Sequence, residues 1–435
     1  MIMEASAAFI HPISKSTKRI DIALFASALF LQRFGLSVGN TSVLSVDYVV
    51  AASILAYQFA RGRLLVEWDR FLWFLVLALA ATASLLVNFE SRMLANYGLF
   101  LTMYFLCTLT RPSTPEQYMT TLEGFQFLVL ILCYLAIGQF AAQFVMDGRK
   151  IINFFGIVPD FLFAGKNLMN TIGPITSGSS FIKSNGIFLA EPSNMSQIAA
   201  FGIITEALTF RRPRYLFPLG LGLLLAYSGT GITILLLFLP LASVANPRAQ
   251  LPALLVGVFA LGLMAFGIIN TSAFTSCVGE FDAYNASGFQ RFISPFWMAA
   301  EHFDTASLQV LLFGNGPSTQ DRLILRDNWG HGAFGGTWFK LLYEYGLIAF
   351  LVFWCFLLSC LRKSKCSKLF IAAFLYCYVF TSNNLLNTSY LMIIVVLCTL
   401  SGSDSRRGPI DETSRGDSVA AHTLRHKNPD SGMLA

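Results

Sequence analysis

Charge is what this chain has least of. Only 12% of its 435 residues are charged against 55% hydrophobic, about half the charge content of an ordinary soluble protein. That balance excludes a soluble enzyme. Metal and nucleotide signatures are missing too. No CxxC, His-rich tract or HExxH is present, so a structural or catalytic metal has no ligand set. With no GxxxxGK[ST] loop and no dinucleotide fingerprint, no cofactor is expected. Of the 8 cysteines, Cys107, Cys133, Cys355, Cys360, Cys377 and Cys398 sit in apolar runs, Cys366 lies on the cytoplasmic side and only Cys277 in an outer loop. A disulfide framework outside is therefore excluded.

What the chain has instead is apolar length. With 41 Phe and a mean hydropathy of +0.61, most of it must meet something other than water, and that solvent is a lipid bilayer. Runs long enough to cross about 30 Å of hydrocarbon fall at 20–36, 43–60, 71–88, 93–109, 122–145, 187–209, 215–228, 231–246, 251–270, 337–361, 369–383 and 387–401. The expected fold class is thus an all-α polytopic integral membrane protein of about twelve transmembrane helices. The pair 215–228 and 231–246 reads either as a tight helical hairpin or as one broken element.

Net charge is +6, and the cations fall in short clusters between apolar runs, a pattern that speaks for membrane topology and not for nucleic acid. With twelve spans, twenty of the thirty Lys and Arg fall on one side, which is then the cytoplasm, holding both termini. Residues 1–19 lead into the first span with no convincing cleavage motif and read as a retained signal anchor. The region 20–401 is the membrane domain, and the polar tail 402–435 is expected to be disordered and cytoplasmic.

Two long outer loops, 146–186 and 271–336, break the pattern of short connections. The second carries Trp297, Phe303, Phe313, Trp329 and Phe334, and 295–303 reads as a partly apolar helix, so a folded lid is expected and the site faces outward. Ionisable residues inside spans are costly and default to functional candidates; they are Asp47, Glu191, Glu206, Lys340 and Glu344. Glu206 lies a few residues before Arg211-Arg212 and reads as half of a structural ion pair.

Three constellations carry candidate chemistry. Lys183, Gly186 and Glu191-Pro192-Ser193 stand at the mouth of the sixth span, where Pro192 should break the helix. An interfacial Lys with a helix-capping Glu explains them equally in kind. Arg291, whose guanidinium can hold two phosphate oxygens at once, precedes Gly314-Asn315-Gly316, whose glycines permit close approach to a ligand or simply a turn. Ser228-Gly229-Thr230-Gly231 fits an anion nest or a tight turn, with the turn favoured.

Taken in order, these landmarks resemble the bacterial O-antigen polymerase and O-antigen ligase family. Lys183, Gly186 and Glu191-Pro192-Ser193 look like its basic-Gly-Glu-Pro stretch, and Ser228-Gly229-Thr230 like its Ser-Gly-Thr turn. Arg291, Trp297 and Gly314-Asn315-Gly316 look like its periplasmic block, and Leu341 to Leu347 like the span that follows. Gly335-Gly336 stand where ligases carry a His-Asn pair, eleven residues before Gly346, and the nearest imidazole is His331. The resemblance therefore leans to the polymerase branch, including xanthan-type exopolysaccharide polymerases.

That resemblance implies a glycosyltransferase of the bacterial inner membrane, acting at the periplasmic face. It would pass a growing undecaprenyl-pyrophosphate-linked glycan onto a new lipid-linked repeat unit. Its partners would be the lipid-linked oligosaccharide, membrane lipid, and other polysaccharide export and chain-length proteins. Arg291 and Glu191 are the expected catalytic residues. Lys183, Arg322, Arg326, Lys340, Gly314, Gly316 and His331 are expected to bind substrate. A base for the acceptor hydroxyl is open between Glu191, Asp304, His302 and His331, with Glu191 first, and Trp297, Trp329 and Trp338 are candidates for stacking on sugars. Alternatives are a ligase-type glycan transferase and a flippase. A transporter commonly shows matched repeats, which this chain lacks.

Overall fold

The computed structural model describes residues 15–38, 42–90, 93–145, 162, 173–175, 179–245, 287–320, 323, 336–381 and 385–402. The expected span 251–270, most of the loop 146–186, parts of the loop 271–336 and the tail beyond 402 lie outside the described residues.

Helices dominate. The first eight are α1 (Lys15–Phe30), α2 (Val46–Ala60), α3 (Trp68–Val87), α4 (Met93–Phe105), α5 (Pro115–Ala142), α6 (Pro192–Thr205), α7 (Pro213–Leu225) and α8 (Gly229–Ala245). Short helices α9 (Ser287–Phe292), α10 (Ser294–Thr305) and α11 (Leu308–Phe313) precede α12 (Thr337–Arg362), α13 (Lys368–Tyr376) and α14 (Thr388–Ile394). Of these, α3, α5 and α12 are long and apolar enough to cross a membrane, with mean hydropathies of 2.1, 2.0 and 2.0. Several shorter apolar helices pack with them. On α3, Leu72, Trp73, Leu75, Val76 and Leu79 are exposed along one flank, apolar surface that water would not tolerate but lipid would. These features describe a helical membrane protein.

The central helix is α6, buried over nearly its whole circumference and packed against α5, α7, α8 and α13. Its far end continues as a π-helical turn, Glu206–Phe210. There the expected ion pair is present, with Arg212 Nη2 2.7 Å from Glu206 Oε1.

Polar chemistry collects at the two ends of the bundle. One end holds that pair, Arg111–Asp21 at 2.5 Å and Lys363 between Glu67 and Asp69 at 2.5 and 3.0 Å. It also holds a small sheet in which β4 (Leu109–Pro112) pairs with β3 (Leu65–Val66) and β5 (Ser401–Gly402). The other end holds a two-stranded hairpin of β1 (Gly35–Val38) and β2 (Ser42–Ser45), the loop before α6, the α7–α8 turn and helices α9 to α11. Just past that hairpin, the buried Asp47 carboxylate accepts hydrogen bonds from Thr388 Oγ1 at 2.7 Å and Ser389 Oγ at 2.6 Å, tying α2 to the start of α14.

Several boundaries differ from those read off hydropathy. The hairpin replaces the facing ends of expected spans 20–36 and 43–60; in the sequence, the Gly39-Asn40 dipeptide is a hairpin-turn signal and the β-branched Val38 and Val43 flank it. Helix α5 starts at Pro115, not at 122, because Thr114 and Gln117 form a capping box and Pro115 takes the first helical position. The sixth run begins its helix at Pro192, not at 187, for the same reason: Pro starts this helix, where the sequence reading had it breaking one. Residues 213–245 form a hairpin of two helices, α7 and α8.

Helix α12 is broken at Gly346, whose φ of 78° and ψ of 177° lie in a region essentially restricted to glycine. The carbonyls freed by the break are met by other chain segments: Asn315 N donates to Tyr343 O at 2.9 Å, Gly316 N to Glu344 O at 2.8 Å and Ser84 Oγ to Glu344 O at 3.0 Å. A Cβ on Gly314 would stand 2.4 Å from Glu344 O, and one on Gly346 2.4 Å from Leu312 O. Backbone touches backbone here. Gly346→Ala is therefore expected to cost about 1–3 kcal/mol in backbone strain plus the clash, and to lower the thermal midpoint of detergent-solubilised protein. Leu347→Ala, at an exposed neighbour, serves as the control and is expected to shift it far less.

Candidate functional site

The site is built on a stretch of irregular backbone, 182–191, that crosses the bundle end just before α6. Such backbone is tolerated among apolar helices only if its polar groups are met by protein. Two glutamines one helical turn apart meet them, Gln139 in the last turn of α5 and Gln143 just past its end. Gln143 donates to Ile182 O at 2.9 Å and accepts from Ile182 N at 2.7 Å. Gln139 Oε1 accepts from Asn185 N and Gly186 N, both at 3.1 Å, while its Nε2 donates to Asn185 Oδ1 at 3.1 Å. Asn185 in turn donates to Leu189 O at 3.0 Å, and Arg33, just past α1, donates to Ile187 O at 2.9 Å. Gly186 and Ile187 both take positive φ, 67° and 69°, which folds the segment back on itself and delivers Glu191 to the start of α6.

Glu191 is the residue before the first helical turn of α6, extended at φ −139° and ψ 154°. Its carboxylate caps no backbone amide; Oε2 instead accepts from Ser193 Oγ at 2.8 Å and from Arg291 Nη2 at 3.0 Å. Arg291 Nη2 also reaches Ser193 Oγ at 3.3 Å. Two residues 100 positions apart thus form one charge pair, with side chains 10% and 19% exposed for Arg291 and Glu191. Among the described residues only Nη2 of the guanidinium is engaged, so the donors on Nε and Nη1 remain for a ligand.

Ser228-Gly229-Thr230-Gly231 closes against the same helix start. Thr230 Oγ1 lies 3.1 Å from both Ser196 Oγ and Ser228 Oγ, and Gly231 N donates to Ser196 Oγ at 3.1 Å. A Cβ on Gly231 would stand 2.2 Å from Ser196 O, so glycine alone permits this approach. On the opposite side α9 leans on the π-helical turn Cys377–Thr381, and Tyr390 hydrogen-bonds Gln197 on α6. Lys183, Glu191, Ser193, Thr230 and Arg291 all belong to one end of the bundle.

The other candidates have different surroundings. Lys340 is buried on α12, its Nζ 3.7 Å from Glu344 Oε1. Gly314 and Gly316 lie against the α12 break and against Asn88 and Met93. Trp297 meets Phe289 edge-on and Trp338 meets Phe296, with ring centroids 5.5 and 5.0 Å apart. Asp304 is exposed and His302 buried on α10. Arg322, Arg326, Trp329 and His331 lie outside the described residues. Cavities of about 320 and 440 Å3 open at the opposite end, lined in part by Arg70 and Lys363 and by Tyr118 and Cys366. They are remote from Glu191 and Arg291. A scan against protein-family models gave no match, and a search of curated proteins gave none.

Sequence reading did not single out Gln139, Gln143 or Ser196. The signal for the glutamines was two carboxamides at helical spacing within an apolar run. Gln139→Ala would orphan the amides of Asn185 and Gly186, at about 1–3 kcal/mol for each buried donor. The thermal midpoint of Gln139→Ala protein is expected to fall by an amount that reflects both lost acceptors.

Proposed function

We propose that this chain is a polysaccharide polymerase of the bacterial inner membrane, transferring a growing undecaprenyl-pyrophosphate-linked glycan onto a new lipid-linked repeat unit at the periplasmic face. The observation that carries the reading is the meeting of Arg291 with Glu191 and Ser193 at the start of α6. Of the stretches that resemble the O-antigen polymerase and ligase family, Glu191-Pro192-Ser193 and Arg291 meet there, and the Ser228-Gly229-Thr230 turn packs on the same helix through Ser196.

The reaction needs two things of the protein. The bond from the anomeric carbon to the pyrophosphate oxygen breaks, the electron pair leaving with the pyrophosphate. A bond forms from an acceptor hydroxyl oxygen to that carbon, and the hydroxyl proton goes to a base. Energy comes from the donor's own pyrophosphate, so no cofactor is called for. Arg291 supplies the cation: held by Glu191 and Ser193 through Nη2, it turns its remaining donors to the leaving pyrophosphate. Lys183, with no ion pair among the described residues, is placed on the same end of the bundle to assist.

Glu191 is the base in this reading. Its Oε2 is occupied by Arg291 and Ser193, which leaves Oε1 to take the acceptor proton. The same contacts fix the carboxylate's direction, so one pair serves orientation and chemistry together. Lys340 pairs with Glu344, and Gly314 and Gly316 pack at the break in α12, apart from the charge pair.

The test is polymer length on gels from a deletion strain complemented with wild-type or variant protein, membrane levels being matched. Arg291→Ala and Glu191→Gln are each expected to lower polymer formation by about 10²–10³, with single lipid-linked units accumulating on the periplasmic side. Arg291→Lys keeps the charge and loses the fork, and is expected to fall well below wild type. Units retained on the cytoplasmic side would identify a flippase and sink the proposal.

A further inference from the structure

A third cavity, of about 240 Å3, lies on the same end of the bundle as Arg291, between α10, α11 and α12. That is the space of roughly eight water molecules at about 30 Å3 each, enough for a single sugar ring and small for a lipid chain. Its wall is polar where the other two cavities are largely apolar: Glu301, His302, Thr305, Ser307, Asn315 and Tyr343 all contribute.

Those side chains have the chemistry that polyhydroxylated ligands require. The imidazole of His302 and the ring of Tyr343 lie 4.9 Å apart at 57°, a two-walled corner of the kind on which a sugar's apolar face rests. His302 is 7% exposed, and its Nε2 has no hydrogen-bond partner among the described residues. A buried nitrogen left unmatched is costly, and a ligand hydroxyl in this cavity would match it. Burial also lowers the His302 pKa from the usual imidazole value, so at neutral pH the ring offers one donor and one acceptor. Glu301, exposed at the rim, can accept from two hydroxyls at once and repels an anionic ligand.

Position adds the second half of the argument. Arg291 and His302 stand eleven residues apart on consecutive helices, α9 and α10, so the cavity is within roughly 16 Å of the charge pair at 1.5 Å per helical residue. A glycan of a few sugars bound at Arg291 is long enough to reach it.

We propose that the cavity between α10, α11 and α12 is a subsite for one uncharged sugar of the glycan, gripped by Glu301 and His302 against Tyr343. This assignment rests on the polymerase reading for its purpose, though not for its test. Full-length protein in lipid nanodiscs is titrated with glucose, galactose, mannose, N-acetylglucosamine and, as the anionic control, glucuronate, with binding read by saturation-transfer NMR.

At least one neutral sugar is expected to bind, at least about tenfold tighter than glucuronate. Glu301→Gln and His302→Phe, the second of which keeps the ring, are each expected to weaken it about tenfold. Absence of binding by every neutral sugar, or binding indifferent to both variants, overturns the assignment. Arg291→Ala protein separates the two readings. Glu301-dependent sugar binding in that variant, together with lipid-linked units held on the cytoplasmic side in cells, would remove the polymerase reading and keep the subsite. Polymer formation by wild-type protein without Glu301-dependent binding removes the subsite alone.

Discussion

A backbone amide that leaves a helix inside an apolar bundle has no water to bond to, and nearly every feature of this fold answers that constraint. Where α12 breaks at Gly346, the amides of Asn315 and Gly316 bond its freed carbonyls. Where residues 182–191 run irregularly, Gln139, Gln143 and Arg33 supply the missing partners. At the opposite end, the buried Arg70 donates to Thr399 O at 2.8 Å, near the carbonyl ends of α4 and α14. Unmet groups of this kind cost several kcal/mol each in hydrocarbon, so these contacts are conditions for the fold and not embellishments of it.

The candidate site follows from the same constraint. Because the 182–191 segment is held by carboxamides at the end of α5, it can deliver Glu191 to the start of α6 without spending that carboxylate on an amide. Glu191 is free to meet Arg291 instead, and Ser193 bridges the two. The Thr230 turn closes the other side through Ser196. A rigid frame of backbone hydrogen bonds thus holds a small polar constellation in place, which is what alignment of a reacting hydroxyl with an anomeric carbon requires.

Hydropathy alone located most helices, because apolar runs of helical length have few other uses. It failed where the decisive signal was polar. The capping box at Thr114-Gln117 moved the start of α5, and Pro192 opened a helix that hydropathy placed five residues earlier. Glu206 and Arg212 were legible as a pair because they lie only six residues apart, across the turn between α6 and α7. Glu191 was legible as a charge within an apolar run and Arg291 as a guanidinium in the long outer loop, yet their pairing was not. Contact between residues 100 apart is set by how α9 packs on the π-helical turn that follows α13, and α13 on α6, and no local pattern encodes it.

If the proposed polymerase activity belongs to this chain, it joins lipid-linked repeat units through the Arg291–Glu191 pair without a nucleotide. Purified protein in liposomes, supplied only with a lipid-linked repeat unit, tests it directly. A ladder of lengthening glycans from wild-type protein, absent from Arg291→Ala protein of equal thermal stability, is the predicted result. Failure of wild-type protein to make a ladder, or an equal ladder from the variant, would contradict it.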